Sequence, residues 1–293
     1  MYKATLAMLG AIMLWASSAS ASKTALAYIS VPEGVAFRII GAALLLWLIG
    51  FVILRRDYRL RSRKPLLMGV LEPALVTFFI MTGIAHTSAV NAAVVWGILP
   101  VTQPLLGRLF LGEPIQRSVA VGAVLAVGGT LLLFATKQSD GTGTLYGDLL
   151  LVCAVGAASI NQMLARTVAK AEQNPLLTTS YQMVTASILA GGYLLMNLPE
   201  SGLLAAVPLS AAPVFALLII TTAGPFFLYN YAMQTMPIGR ISLFAPLSGP
   251  IGAVIATIVF SEPVNGWILL AISLSLSGAL LPTLVNRLWR GPG

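Results

Sequence analysis

Few side chains in this 293-residue chain could do chemistry, and their spacing limits what that chemistry is. There is one histidine, His86, one cysteine, Cys153, and nine carboxylates scattered along the chain, with no HExxH pattern and no acid beside His86. This set excludes a multi-histidine or cysteine metal cluster and an intramolecular disulfide. Neither a metal, a cofactor nor an enzymatic step is expected. The informative side chains are the polar and aromatic ones inside long apolar runs, because each polar group there needs a partner or water. They are Trp15 and Ser18, Trp96 and Gln103, Asn161 and Gln162, and Tyr229 and Asn230, while Ala74, Thr77, Phe78 and Met81 recur at helical spacing on one face. Together they describe a cavity with aromatic walls, amides and hydroxyls, and no fixed charge at its centre. Such a lining suits a zwitterion with an apolar or aromatic body; taken singly, each polar residue has the plainer use of bonding two helices.

Four charged or titratable residues lie close enough to matter. Glu72, in LLMGVLEPALV, is the only carboxylate well inside an apolar run, and facing the cavity it would titrate and couple the site to protons. It stands only about a turn and a half from one helix end, so snorkelling, or pairing with Arg108 or Arg240, is the expected arrangement. Lys23 and Arg38 sit near the other membrane face, where they would gate or bind a carboxylate, or snorkel to the headgroups, which is the expectation taken. His86, near that same face, is expected to be solvated.

The elements that must position these residues are membrane spans. The chain is 58% hydrophobic and 9% charged, with mean hydropathy +0.91. At about 20 apolar residues per span, ten spans fit, at about 4–28, 34–54, 65–86, 90–111, 116–136, 146–168, 176–197, 212–235, 239–260 and 265–286. No room is left for a soluble domain. Lys3 before the first run and Ala19-Ser20-Ala21 also fit a secretory signal, but the run continues to Tyr28 and cleavage would leave an unmatched nine spans.

With the N-terminus inside, fourteen of the seventeen lysines and arginines fall on the inner side, led by the RRDYRLRSRK loop. Both termini are therefore expected in the cytoplasm of a bacterial cell, with the protein multi-pass in the inner membrane. The loop's charges are read as a topology signal rather than a specific lipid site or a nucleic-acid surface.

An internal repeat organises the whole. Val90 to Pro114 and Gly239 to Pro263 each begin near a polar residue, carry two prolines four apart (Pro100 and Pro104; Pro246 and Pro250), and end in Glu-Pro. Such prolines break helices and mark helix-break or gating positions, tolerated at membrane depth where they face protein or a cavity. Glu113 and Glu262 are read as plain N-caps. The Glu-Pro offset, 262 − 113 = 149, also aligns Leu125 with Leu274 and Gly129 with Gly278. Two five-span repeats follow, residues 1–138 and 145–293, with 139–144 as a glycine-rich linker. Five is odd, so the second repeat is inverted. Gly122, Gly128, Gly129, Gly191 and Gly192 are read as sites of close helix approach.

Trp15 followed by Lys23, the Leu164-x-Arg166 ending of span 6, Tyr229-Asn230 in span 8, the two Glu-Pro turns and the five-plus-five layout resemble the drug/metabolite transporter superfamily, in its ten-helix EamA type. The chain departs from that pattern at Ala158, where the family often has tryptophan, and at Trp96. The resemblance implies an all-α integral membrane protein of two inverted five-helix repeats, a secondary transporter exporting amino acids and related metabolites by alternating access. It is most similar to aromatic amino-acid exporters. Spans 1, 3, 4, 6, 8 and 9 would line the cavity, with 5 and 10 bracing it. Proton-coupled export of other metabolites or drugs, and a passive channel, are the alternatives. Its partners would be a small-molecule substrate and the bilayer, and a monomer is favoured.

Overall fold

The computed structural model describes residues 2–54, 60, 62–84, 86, 99–135, 144–171, 174–199, 202–203, 207–260 and 266–290. Trp96, the linker up to residue 143 and most of the arginine-rich loop lie outside that set, as do the side chains of Met81 and Lys23. The described residues are helical, with no strand among them.

Helix α1 is Tyr2–Ala25 and α2 is Val31–Leu54. Helix α2 starts three residues before its expected position because Ser30 and Glu33 form a capping box. Ser30 N donates to Glu33 Oε2 at 2.8 Å and Glu33 N to Ser30 Oγ at 3.5 Å. Helix α3 covers residues 64–84, with Lys64–Gly69 before and Val76–Ile84 after a kink that falls within Val70–Leu75. The break is at Glu72, which is extended (φ −144°, ψ 122°) before Pro73, as the clash of a proline ring with the preceding residue requires.

The described part of α4 is Leu99–Leu111, and it stays helical through Pro104. Gly112, at φ +66°, then turns the chain so that Glu113 N donates to Gly107 O. Helices α5 (Arg117–Ala135), α6 (Leu145–Ala171) and α7 (Pro175–Leu195) follow. Asn174 caps α7, its Oδ1 accepting from Leu176 N at 3.0 Å and Leu177 N at 3.1 Å. Helix α8 is Ala212–Met233, and α9 is broken into Ile238–Ile241, a 3₁₀ stretch Ser242–Leu247 that contains Pro246, and Ser248–Phe260. Helix α10 is Gly266–Arg290.

Among the described residues, four stretches are long and apolar enough to cross a membrane by length and composition: Tyr2–Ser22, Val31–Val52, Leu145–Ala171 and Leu209–Met233. The breaks in α3 and α9 shorten their apolar pieces, and Thr178, Thr179, Ser180 and Gln182, all buried, dilute α7. The outward surface of the bundle carries Leu44, Phe51, Leu109, Phe110, Val124 and Ile188, a facing that suits acyl chains rather than water.

Helix α1 packs on α8, α2 on α7, α3 on α6 and α5 on α10. The α5–α10 seam is the closest: a Cβ on Gly122 would lie 2.6 Å from Gly278 O, and one on Gly129 2.8 Å from Ala271 O. Gly128, Gly191 and Gly192, expected to serve the same end, have nothing within 4 Å of a Cβ. The face of the bundle on which α1 begins also receives the ends of α4, α6, α8 and α10; the α1–α2 turn lies on the opposite face, where Thr144 N donates to His86 O at 3.1 Å. His86 is exposed there, its ring edge-on to Tyr146 at 5.2 Å.

Candidate functional site

A cavity of about 250 Å³ runs from the middle of the bundle towards the α1–α2 turn. Its walls are built by α1 (Trp15, Ser22), α2 (Arg38), α3 (Glu72, Thr77) and α8 (Phe226), with aliphatic side chains between them. Helix α2 was not expected to contribute, and α4, α6 and α9, which were, supply no described residue to the wall itself. Trp15 forms the aromatic side: its ring stands edge-on to Phe226 at 5.5 Å and tilted against Tyr229 at 5.8 Å. That geometry is the favoured one for aromatic pairs.

The expectation of a cavity without fixed charge is overturned by two residues. Glu72 neither snorkels nor pairs with Arg108 or Arg240. At the kink its side chain faces inward, where Asn161 Nδ2 donates to Glu72 Oε2 at 2.8 Å. Arg108 is exposed, and Arg240 donates to Thr283 Oγ1 instead. The main chain freed by the break is satisfied as well, Gln182 Nε2 donating to Glu72 O at 2.8 Å. Arg38 likewise turns inward rather than to the headgroups. Its Nε donates to Thr222 Oγ1 at 2.9 Å, Nη1 to Ser22 Oγ at 3.3 Å and Nη2 to Ser18 Oγ at 2.6 Å.

The remaining expected site residues fall into three groups. Ser18 is buried behind the wall as a partner of Arg38, and Tyr229 and Asn161 stand next to it. Tyr229 Oη, Asn161 Oδ1 and Gln162 Oε1 are buried without a hydrogen-bond partner among the described residues. Groups of that kind border sites where a polar ligand or water is met. Asn230 and Gln103 instead join helices: Asn230 Nδ2 donates to Thr179 Oγ1 at 2.9 Å and Gln182 Oε1 at 3.0 Å, and Gln103 Nε2 to Ser159 Oγ at 2.8 Å. Ala74 and Phe78 line a second cavity of about 540 Å³ between α2, α3 and α7, which shares Thr77 with the first. Phe78 is 56% exposed there, so the face read from α3 borders both cavities, with Thr77 on the wall of each.

The opposite end of the bundle is closed by polar contacts. Glu113 is not an N-cap, since α5 begins only at Arg117. Glu113 Oε1 accepts from Arg166 Nε at 2.6 Å and lies 3.5 Å from Lys170 Nζ, while Glu113 Oε2 accepts from Ile238 N at 2.9 Å. Arg166 also donates to Met233 O. One carboxylate thereby ties α4 to α6 and to the start of α9. Pro104 faces this junction, where Gly239 leaves no room for a Cβ, and Pro246 and Pro250 are buried within α9. The sequence signals for this junction were the Glu-Pro turn and the Leu164-x-Arg166 ending of span 6; nothing in their spacing says that the two meet.

A pocket with a cation, a carboxylate and an aromatic wall, and no cluster of metal-ligating residues among the described ones, fits binding and release of a small polar molecule. The Bacillus subtilis (strain 168) uncharacterized transporter YyaM is 23% identical over 96% of this chain and 93% of its own. An uncharacterized transporter of Methanothermobacter thermautotrophicus is 27% identical over 82% of this chain and 67% of its own. A protein crystal structure sharing 17% identity superposes with a TM-score of 0.82 over 99% of this chain and all of that one, which shows the fold. The EamA-like transporter family matches residues 2–135 and again residues 145–284, nearly the whole chain, and the chain belongs to that family of membrane transporters.

Proposed function

We propose that the chain is a ten-span carrier of two inverted five-helix repeats, residues 1–138 and 145–293, that exports neutral amino acids, aromatic and apolar ones foremost, by alternating access. The packing map supports the repeat. An offset of 149 relates α1 to α6, α2 to α7, α3 to α8, α4 to α9 and α5 to α10. Under it the α1–α8 contact becomes α6–α3, while α2–α7 and α5–α10 become themselves. The closest approaches obey the same relation: Gly122 with Gly278 maps onto Ala271 with Gly129. An interface that maps onto itself is what a two-fold axis between repeats requires.

The observation that carries the transport reading is the cavity between α1, α2, α3 and α8, open to one face while Glu113 and Arg166 lock the other. The excess of basic residues on the locked side supports a cytoplasmic position for that face in a bacterial inner membrane, and on that reading the arrangement is the outward-facing one of an exporter. Trp15 and Phe226 supply the surface for an apolar side chain. Uptake of labelled phenylalanine, tryptophan and threonine into liposomes holding the purified protein tests this. Saturable uptake accelerated by the same amino acid inside the vesicle is expected of a carrier. Non-saturable flux would mean a channel, and no uptake of any of the three would overturn the amino-acid assignment. A second reading, coupling to protons, is favoured by Glu72 on the cavity wall. An imposed proton gradient in the same liposomes separates the two.

A further inference from the structure

Arg38 has an unusual set of partners for a cation at this depth. Its three hydrogen bonds all go to neutral hydroxyls, one on α8 and two on α1. Two of those hydroxyls already give their own proton to a main-chain carbonyl: Ser22 Oγ donates to Ser18 O at 2.7 Å and Thr222 Oγ1 to Leu218 O at 2.8 Å. They are thereby fixed as acceptors, aimed at the guanidinium. No carboxylate lies within ion-pair distance of Arg38 among the described residues. The other charged group of the cavity wall, Glu72, takes its hydrogen bond from Asn161.

The charge on Arg38 is therefore oriented but not neutralised. Hydroxyl dipoles hold a guanidinium in place, yet an ion within a membrane protein remains expensive until an opposite charge joins it. A guanidinium has five N–H groups, and three are used, one on each nitrogen. One N–H is left on each terminal nitrogen, donors available to an oxyanion. Arg38 lines the same cavity as Trp15 and Phe226. A ligand reaching all three has a compact anionic end and an apolar or aromatic body, and a cavity of about 250 Å³ keeps it small.

We propose that Arg38 is the anion anchor of this cavity, holding the carboxylate of the carried molecule while Trp15 and Phe226 take its apolar body. This rests on the carrier reading above and narrows it: molecules without a carboxylate are not bound. Ser18, Ser22 and Thr222 are positioning residues that set the direction of the guanidinium.

Thermal stabilisation of the purified protein by three probes tests the assignment without transport: 3-phenylpropionate, which has the carboxylate alone, phenylalanine, which has both charges, and phenethylamine, which has the amine alone. The first two are expected to stabilise the protein and the third is not. Arg38→Gln keeps a neutral donor and is expected to weaken both carboxylate probes by about ten- to a hundred-fold, the range for a hydrogen bond to a charged group. Carboxylate binding unchanged in Arg38→Gln overturns the proposal, and so does an absence of binding by either carboxylate. If Arg38→Gln yields no folded protein, the parent protein decides, since phenethylamine binding as tightly as 3-phenylpropionate overturns it. The two readings fail separately. Amino acids carried equally by the parent and Arg38→Gln would remove the anchor and leave the carrier. Arg38-dependent binding of 3-phenylpropionate with no amino-acid uptake would keep the anchor and remove the amino-acid assignment.

Discussion

Glu113 Oε1 accepts a hydrogen bond from Arg166 Nε at 2.6 Å, joining the end of α4 to α6 at the face opposite the cavity mouth. Both side chains are about nine-tenths buried, so losing Glu113 leaves the Arg166 charge uncompensated, at about 3–5 kcal/mol, while losing Arg166 leaves Glu113 with Lys170 at 3.5 Å and costs less. Glu113→Gln and Arg166→Gln are expected to lower the melting temperature and to open this face. A cysteine at the buried Val119, beside the junction, in a Cys153→Ser background, reports the opening as faster thiol labelling. Labelling no faster in Glu113→Gln than in its parent would show that the pair does not hold the face closed.

The α5–α10 seam makes an independent prediction about stability. A Cβ on Gly278 would stand 2.5 Å from Gly122 O, a distance only a shift of the helix axes relieves. Gly278→Ala is expected to lower folded yield and melting temperature, and Gly128→Ala, which meets nothing within 4 Å, to leave both unchanged. Equal melting temperatures would mean that the two helices separate without penalty.

The apolar runs and their polar interruptions made the helices legible, because a span must satisfy its backbone internally and its residues are chosen for lipid. Local chemistry was legible too where both partners lie within a turn. Ser30-x-x-Glu33 spells the capping box that moves the start of α2, and Glu72-Pro73 spells the break in α3. What could not be read was which distant side chains meet. Ser18 and Ser22, four apart on one face of α1, are a trace of the Arg38 site, but nothing in their spacing says that α2 and α8 bring Arg38 and Thr222 against them. The same holds for Asn230: as a polar residue at mid-span it could equally have faced a cavity or another helix, and only the position of Gln182 on α7 decides.

That difference separates structural from functional polar residues. Asn230→Ala removes two donated hydrogen bonds and leaves Gln182, which in turn holds Glu72 O, with an unpaired oxygen. A loss of about 1–2 kcal/mol in stability is expected, with KM for the carried amino acid unchanged in what still folds. Trp15→Ala is expected to do the reverse, raising KM about tenfold with a smaller change in melting temperature, since it takes away cavity wall. Tyr229→Phe is the sparing variant: it deletes a buried hydroxyl that has no partner among the described residues, so stability should hold or rise while any loss of transport reports on contact with substrate. A raised KM in Asn230→Ala with an unchanged one in Trp15→Ala would exchange the two assignments.

Glu72 decides between the two energetic schemes. Its Oε2 accepts from Asn161 Nδ2, and a glutamine carbonyl at the same position accepts equally well, so Glu72→Gln keeps the hydrogen bond and the fold while removing the exchangeable proton. In a carrier coupled through Glu72, proton-driven accumulation in liposomes is lost in the variant while exchange of labelled for unlabelled amino acid continues within about threefold of the parent, because exchange needs only the cavity to reorient. In an uncoupled carrier the parent shows no response to the gradient and the variant matches it in both assays. The inward turn of Glu72 at Pro73, against the aromatic wall rather than towards the headgroups, favours the first outcome. Accumulation that survives in Glu72→Gln would leave the residue as a fold element, its main-chain oxygen tied to Gln182 and its side chain to Asn161.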